Sequence, residues 1–205
     1  MTVKFKVLAV GPIGTNCYLV FDEKLRRLFV IDPGAEPERI LREAEPFGAD
    51  SARILLTHAH VDHIGAAGQV ARKLGVEHVM LDPADRELYH SPWNSIPPIL
   101  EHPSDLPETT DFETEGAFEV LHVPGHSPGG SAFLFADGEE KLLFCGDSLF
   151  AGSVGRTDLP GGDYGELISA IKSGLLVLPP ETRVFPGHGG ATTIGEEKRE
   201  NPYLR

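Results

Sequence analysis

The sequence predicts an α+β fold, a four-layered αββα sandwich in which two β-sheets pack face to face with helices outside, assembled from two pseudo-repeated halves. Three observations lead there. The segments YLVFDEKLRRLFVIDPG (18–34) and FLFADGEEKLLFCGDSL (133–149) each read as apolar run, charged turn and apolar run, the pattern of a β-hairpin, and each second run ends on an aspartate. A shift of 115 residues lays Leu28-Phe29 on Leu143-Phe144, Asp22 on Asp137 and Asp32 on Asp147. Each hairpin is followed by a helical pattern, a strand and a histidine, so the order hairpin, Asp, helix, strand, His occurs twice, as an internal duplication would produce.

The elements follow in order. MTVKFKVLAV alternates Val3, Phe5, Val7 and Ala9 with Lys4 and Lys6, which reads as a first strand and lacks the charged and apolar regions of a secretory leader. After Asp32, PERILREAEPFG places Ile40, Leu41, Ala44 and Phe47 at helical spacing, and the strand Arg53 to Leu56 then leads to His58. In the second half DYGELISAIKSGLL opens with Asp163 and Glu166, a capping-box-like pair, and puts Leu167, Ile168, Ile171 and Leu175 on one face. The strand Arg183 to Phe185 leads to His188. At 205 residues the chain suits one domain, 1–205, and the strand ends bring the repeated Asp and His positions to one edge of the sandwich.

Composition narrows the function. With 31 acidic and 18 basic residues the net charge is −13, which repels a phosphate backbone, so nucleic acid is not an expected partner. No apolar run approaches the ~20 residues that span a bilayer, so no membrane association is expected and the predicted location is the cytoplasm. Cys17 and Cys145, the only cysteines, lie inside apolar segments and read as buried thiols rather than a disulfide.

The chemistry is concentrated in four turns. THAHVDHIG (57–65) carries His58, His60, Asp62 and His63; HVPGHSPGG (122–130) carries His126; CGDSL (145–149) carries Asp147; FPGHGG (185–190) carries His188. Glycines let the backbone bend sharply so that a His or Asp is presented at the turn. Imidazoles suit zinc and iron, and a carboxylate can bridge two cations. These seven donors are too many for one tetrahedral ion and suit two.

Together THAHVDHIG, VPGHSPGG, CGDS and PGHGG resemble the metallo-β-lactamase superfamily over nearly the whole chain. The resemblance implies that His58, His60 and His126 hold one divalent ion, that Asp62, His63 and His188 hold another, and that Asp147 bridges them. Zinc is the first expectation, with iron and manganese as alternatives. Within the superfamily GPIGTNCYLV, SVGRTDLPGGD and GATTIGEEKRENPYL are similar to short glyoxalase II-like hydrolases related to hydroxyacylglutathione hydrolase. That implies hydrolysis of a small-molecule thioester, S-(2-hydroxyacyl)glutathione or a similar compound, by a hydroxide shared between the ions, with Asp62 as the catalytic residue that orients it. Full-length glyoxalase II enzymes continue into a helical domain that contributes glutathione contacts, whereas 17 residues follow His188 here, so the thiol carrier stays open.

By the same resemblance Asp32, in VIDPG, supports the metal loop through hydrogen bonds. Arg156, in VGRTD, is the candidate for binding a substrate carboxylate, with an internal ion pair to Asp158 as the competing role. His78, His90, His102 and His122 are expected to be structural or exposed. The Pro-rich stretch 90–108, with the only tryptophan, Trp93, is a candidate substrate-covering loop. A second reading of the reaction follows from persulfide dioxygenases, which share the GRTD block: a single Fe(II) held by His58, His126 and Asp147 with open positions for oxygen.

Overall fold

The computed structural model describes residues 3–205. Strands β1 (Val3–Val10), β2 (Thr15–Asp22) and β3 (Arg27–Ile31) form an antiparallel meander. Asp22 closes the turn between β2 and β3, where its Oδ1 accepts the backbone N–H of Lys24 at 2.8 Å and of Leu25 at 3.0 Å. Helix α1 (Pro37–Ala44) has proline in its first turn, where a missing N–H costs nothing. It runs through a 3₁₀ turn to Gly48 and returns the chain as β4 (Ser51–Leu55), parallel to β3.

The first half continues with α2 (Val61–Ile64), α3 (Ala67–Leu74), β5 (His78–Met80), α4 (Arg86–His90) and β6 (Glu108–Thr110). The resulting six-stranded sheet has the order β1-β2-β3-β4-β5-β6. The second half contains β7 (Phe118–His122), β8 (Ser131–Asp137) and β9 (Glu140–Gly146), then a small ribbon of β10 (Leu149–Phe150) and β11 (Ser153–Val154). Helix α5 (Tyr164–Ala170) is capped by Asp163, whose Oδ1 accepts the Glu166 N–H at 2.8 Å, and it continues as a π turn through Leu175. Strands β12 (Arg183–Pro186) and β13 (Thr192–Thr193) and helix α6 (Ile194–Glu200) complete a sheet of order β13-β12-β9-β8-β7.

Alternation along the strands produces the four layers. On β3, Leu28 and Val30 pack outward with Ile40 of α1 and Val70 of α3, while Phe29 and Ile31 point inward. On β9, Leu143 and Cys145 face Leu167, Ile171 and Ile194, while Leu142 and Phe144 meet the inward side chains of the other sheet. Both faces of both sheets are thus covered, which is why all of β2 is buried and its sequence is not an apolar-polar alternation. Between the sheets lies an aromatic layer: Phe144 contacts Phe5, Tyr18, Phe135 and Phe185 at centroid separations of 4.9–5.9 Å.

The two halves repeat a crossover, β3-α1-β4 and β9-α5-β12, each joining neighbouring parallel strands. Asp32 and Asp147 follow the first strand of each crossover and His58 and His188 follow the second. Among the described residues no helix is long and apolar enough to cross a membrane.

Candidate metal centre

Beyond β4 the chain enters THAHVDHIG in extended conformation, and α2 begins just after His60. Asp62 and His63 therefore lie on a four-residue helix while His58 and His60 precede it, so one short segment presents donors in two directions. The loop after β3 passes tightly beneath: a Cβ on Gly34 would stand 1.7 Å from the Asp62 carbonyl oxygen. His126 arrives from the turn between β7 and β8, Asp147 from the end of β9 and His188 from the end of β12.

The structure gathers these side chains into two groups. The ligating atoms of His58, His60 and His126 lie within 4.8 Å of one another, as do those of Asp62, His63 and His188. Asp147 stands between the groups: Oδ1 is 3.4 Å from His63 Nε2, and Oδ2 is 3.7 Å from His126 Nε2 and 3.6 Å from His188 Nε2. Asp32, His58 and His63 also cluster, but the Asp32 oxygens are engaged. Oδ1 accepts the Thr57 N–H at 2.8 Å, and Oδ2 accepts the Thr57 hydroxyl at 2.6 Å and His63 Nδ1 at 2.9 Å.

Those bonds and one to His126 set the ring tautomers of His58, His63 and His126. Because the Thr57 hydroxyl donates to Asp32, it accepts from His58 Nδ1, 3.0 Å away, and His58 Nε2 is left with a lone pair. His63 Nδ1 donates to Asp32, which turns Nε2 towards Asp62 and Asp147. His126 Nδ1 donates to the Arg156 carbonyl at 2.7 Å, so Nε2 faces His60 Nδ1 at 2.9 Å.

The electrostatics divide the same way. Burial, then the neighbouring rings of His63 and His60, pushes His58 well below the ordinary histidine value. Burial and the His126 ring bring His60 down to about 4. Both are neutral at pH 7, the state a ligand needs. In His63 burial disfavours a charge, but Asp62, Asp147 and Asp32 outweigh it and hold the ring well above its usual value. Burial would raise Asp62, yet His63 and His188 keep it far below the carboxylate range.

A cation fits this donor set. His58 Nε2, His63 Nε2 and Asp147 Oδ1 are buried and make no hydrogen bond. One such orphan costs about 1–3 kcal/mol, which a bound cation would offset. All are ligand types for zinc or iron, and the supporting bonds to Asp32, Thr57 and the Arg156 carbonyl orient them.

Several supporting residues carried no sequence signal. Asp85 is fully buried and ties two ligand turns together: it accepts the Ala59 N–H at 2.9 Å, the Ser127 hydroxyl at 2.9 Å and the Gly129 N–H at 2.6 Å. Asn94 accepts the Val61 N–H at 2.9 Å and donates to the Ala59 carbonyl at 2.7 Å, which anchors the Pro-rich loop on the metal-binding segment. Thr15 donates its hydroxyl to Asp62 Oδ2 at 2.8 Å. The amide of Asn16 donates to the carbonyls of Pro186 and Gly189, both at 3.0 Å, and so holds the turn that bears His188.

The remaining candidates separate. The Arg156 guanidinium pairs with Asp158 at 2.7 and 2.8 Å, the internal ion pair that competed with substrate binding, yet the residue still lines the cavity over the centre. The pairing holds Asp158 at about 2. His122 is exposed and lies 3.0 Å from Asp82, His78 and His90 are exposed, and His102 Nε2 is 2.8 Å from the Tyr89 carbonyl oxygen. Cys17 and Cys145 are free and buried, as expected. The cavity has a volume of about 930 Å³ and is lined by the candidate ligands His60, Asp62, His126, Asp147 and His188 together with Ile13, Leu88, Trp93, Ile96, Leu159 and Pro160.

Comparison with known proteins gives the family of the chain. The family model of the metallo-beta-lactamase superfamily matches residues 10–188. Hydroxyacylglutathione hydrolase GloC of Haemophilus influenzae is 39% identical, with 98% of each chain covered. Among solved structures, TTHA1623 in a di-iron-bound form is 43% identical with a TM-score of 0.86, covering 97% of this chain and all of that one. The BLEG-1 B3 metallo-beta-lactamase is 34% identical with a TM-score of 0.85, covering 98% of this chain and 99% of the other.

Proposed function

The chain belongs to the metallo-β-lactamase superfamily as a metal-dependent hydrolase, and from that premise we propose that it is a dinuclear thioesterase acting in the cytoplasm. His58, His60 and His126 would hold one ion, Asp62, His63 and His188 the other, and Asp147 both. The observation that carries this is the convergence of two donor triads on one carboxylate, with three buried polar atoms lacking any other partner. The likeness to a di-iron-bound structure supports the two-ion count and makes iron as eligible as zinc.

His58, His60, Asp62, His63, His126, Asp147 and His188 would hold ions whose chemistry, when bound, would be to lower the pKa of a water from about 15.7 to about 7 and to polarise a carbonyl. The residues do the rest. Asp62 stays ionised at neutral pH, so it acts only as an acceptor, and its bond from Thr15 leaves it oriented to align the attacking water. Asp32 and the Arg156 carbonyl hold His63 and His126 in one tautomer throughout. A thiol leaves with a conjugate-acid pKa near ~8.5, so expulsion needs no proton donor. Among thioesters, the similarity to hydroxyacylglutathione hydrolase makes S-lactoylglutathione the first compound to assay.

The test is elemental analysis of protein purified without added metal, paired with assays on S-lactoylglutathione, glutathione persulfide and a β-lactam. Two ions per chain with thioester cleavage support the proposal. A single iron with oxygen consumption on the persulfide selects the dioxygenase reading, in which His58, His126 and Asp147 alone bind metal. Turnover restricted to the β-lactam rejects both.

A further inference from the structure

The cavity over the metal centre has a second wall whose chemistry does not match a charged tripeptide. Trp93 is 89% exposed and lines it, as do Ile96 and Ile13, 37% and 40% exposed, and Leu159 and Pro160. A tryptophan left in water beside a deep cavity forgoes the burial of one of the largest apolar side chains, which a bound apolar group would recover. The wall is built in place rather than loose. Asn94, the next residue, holds three contacts, to Val61 N, Ala59 O and Leu88 O, and Ile96 and Leu100 exchange backbone hydrogen bonds at 2.7 and 2.9 Å.

Charge points the same way. Among the described residues lining the cavity there is no lysine and one arginine, Arg156. Its guanidinium is bound through two nitrogens by Asp158, so an incoming carboxylate would have to displace an anion tethered two residues away that remains beside it. Glutathione carries a pair of carboxylates at neutral pH and meets no lysine and no second arginine among the described lining residues. The net charge of −13 adds a general repulsion.

We infer that the preferred substrate presents an uncharged, apolar group, an aryl ring or a medium aliphatic chain, to the wall formed by Trp93, Ile96 and Ile13. The inference rests on the thioesterase reading for its reaction but not for its binding surface. The apolar group belongs either to the acyl side or to the thiol side of the thioester, and the experiment separates these.

Trp93 is the only tryptophan, so its emission reports the wall directly. The metal-loaded protein is titrated with non-hydrolysable thioethers, S-benzyl-N-acetylcysteamine against S-methylglutathione. The benzyl compound is expected to bind at least about tenfold more tightly and to shift the emission. Trp93→Ala, followed by calorimetry, is expected to weaken the benzyl compound about tenfold and leave S-methylglutathione unchanged. Equal or tighter binding of S-methylglutathione, unmoved emission with the benzyl compound, or equal weakening of both by Trp93→Ala would overturn the inference. Turnover of S-phenylacetyl-N-acetylcysteamine against S-benzyl thioacetate then assigns the group to the acyl or the thiol side. Benzyl binding without cleavage of any thioester leaves the wall standing and removes the thioesterase reading.

Discussion

Asp32 adopts φ 51, a left-handed conformation that costs a non-glycine residue on the order of 1 kcal/mol, and in return both of its oxygens reach the loop that carries His58 and His63. Asp32→Asn keeps the shape and replaces one acceptor oxygen by a donor group. It is expected to lower metal affinity by about 10–100-fold, measured by competition with a chromogenic chelator, with little change in secondary structure. Undiminished affinity would remove Asp32 from the support of the centre. Gly187 is a sharper case: a Cβ there would stand 2.1 Å from Asp147 Oδ1 and 2.8 Å from His63 Cε1. Gly187→Ala should therefore lose metal, read by elemental analysis, while the circular dichroism spectrum is kept. Full occupancy in that variant would contradict the placement of Asp147. The seven donor candidates were legible because each sits with a glycine or a second donor in a short turn. Asp85 was not, because its partners at Ala59 and Gly129 are 26 and 44 residues away and two of its three bonds go to backbone, which has no sequence signature.

At the level of elements, Asp85 opens helix α4 and pins the THAHVDHIG and VPGHSPGG turns to each other. Burial pushes its carboxyl up, opposed by the bonds from Gly129, Ser127 and Ala59, so the ionised form is held by those donors alone. Asp85→Asn cannot accept from all three and leaves at least one buried donor unpaired. A loss of about 1–3 kcal/mol in urea unfolding is expected, and a variant as stable as the parent would refute the clamp. The hairpins, α1 and α5 follow from periodicity because each buries a face at a regular spacing, and the Asp163 cap was visible as a capping box. The strand expected at Arg53 to Leu56 is observed at Ser51–Leu55, since pairing with β3 begins at Arg27↔Ser51. Strands β5 and β6 are three residues each, too short to impose a period, and α2 has only four, so its helical turn is hidden among the candidate ligands. The π turn after α5 likewise has no local signature.

Across the whole molecule, each donor triad draws on both halves: His58 and His60 meet His126, and Asp62 and His63 meet His188. Bound ions would therefore act as cross-links between the halves in addition to the aromatic layer between the sheets. Removing metal with a chelator is expected to lower the thermal midpoint, and readding zinc or iron(II) to restore it. An unchanged midpoint would mean that the centre contributes nothing to the folded state. Phe144→Ala, in the middle of that layer, should cost about 3–5 kcal/mol by the cavity it leaves, while donors at the strand ends stay in place. Loss of metal in a folded Phe144→Ala protein would show that the inter-sheet packing and the centre are not separable.

The repeated crossover also explains why two aspartates at matching places face different partners. In the second half the backbone turns over at Gly146, φ 50, and Asp147 comes one residue later; in the first half the turn is made by Asp32 itself, φ 51. The two carboxylates differ in their partners as well as in this offset of a single residue. Asp147 projects past the bend into the space between the histidine groups, whereas Asp32 tucks under the neighbouring loop. The matching positions therefore give one carboxylate that buttresses a loop and one that faces the candidate ligands.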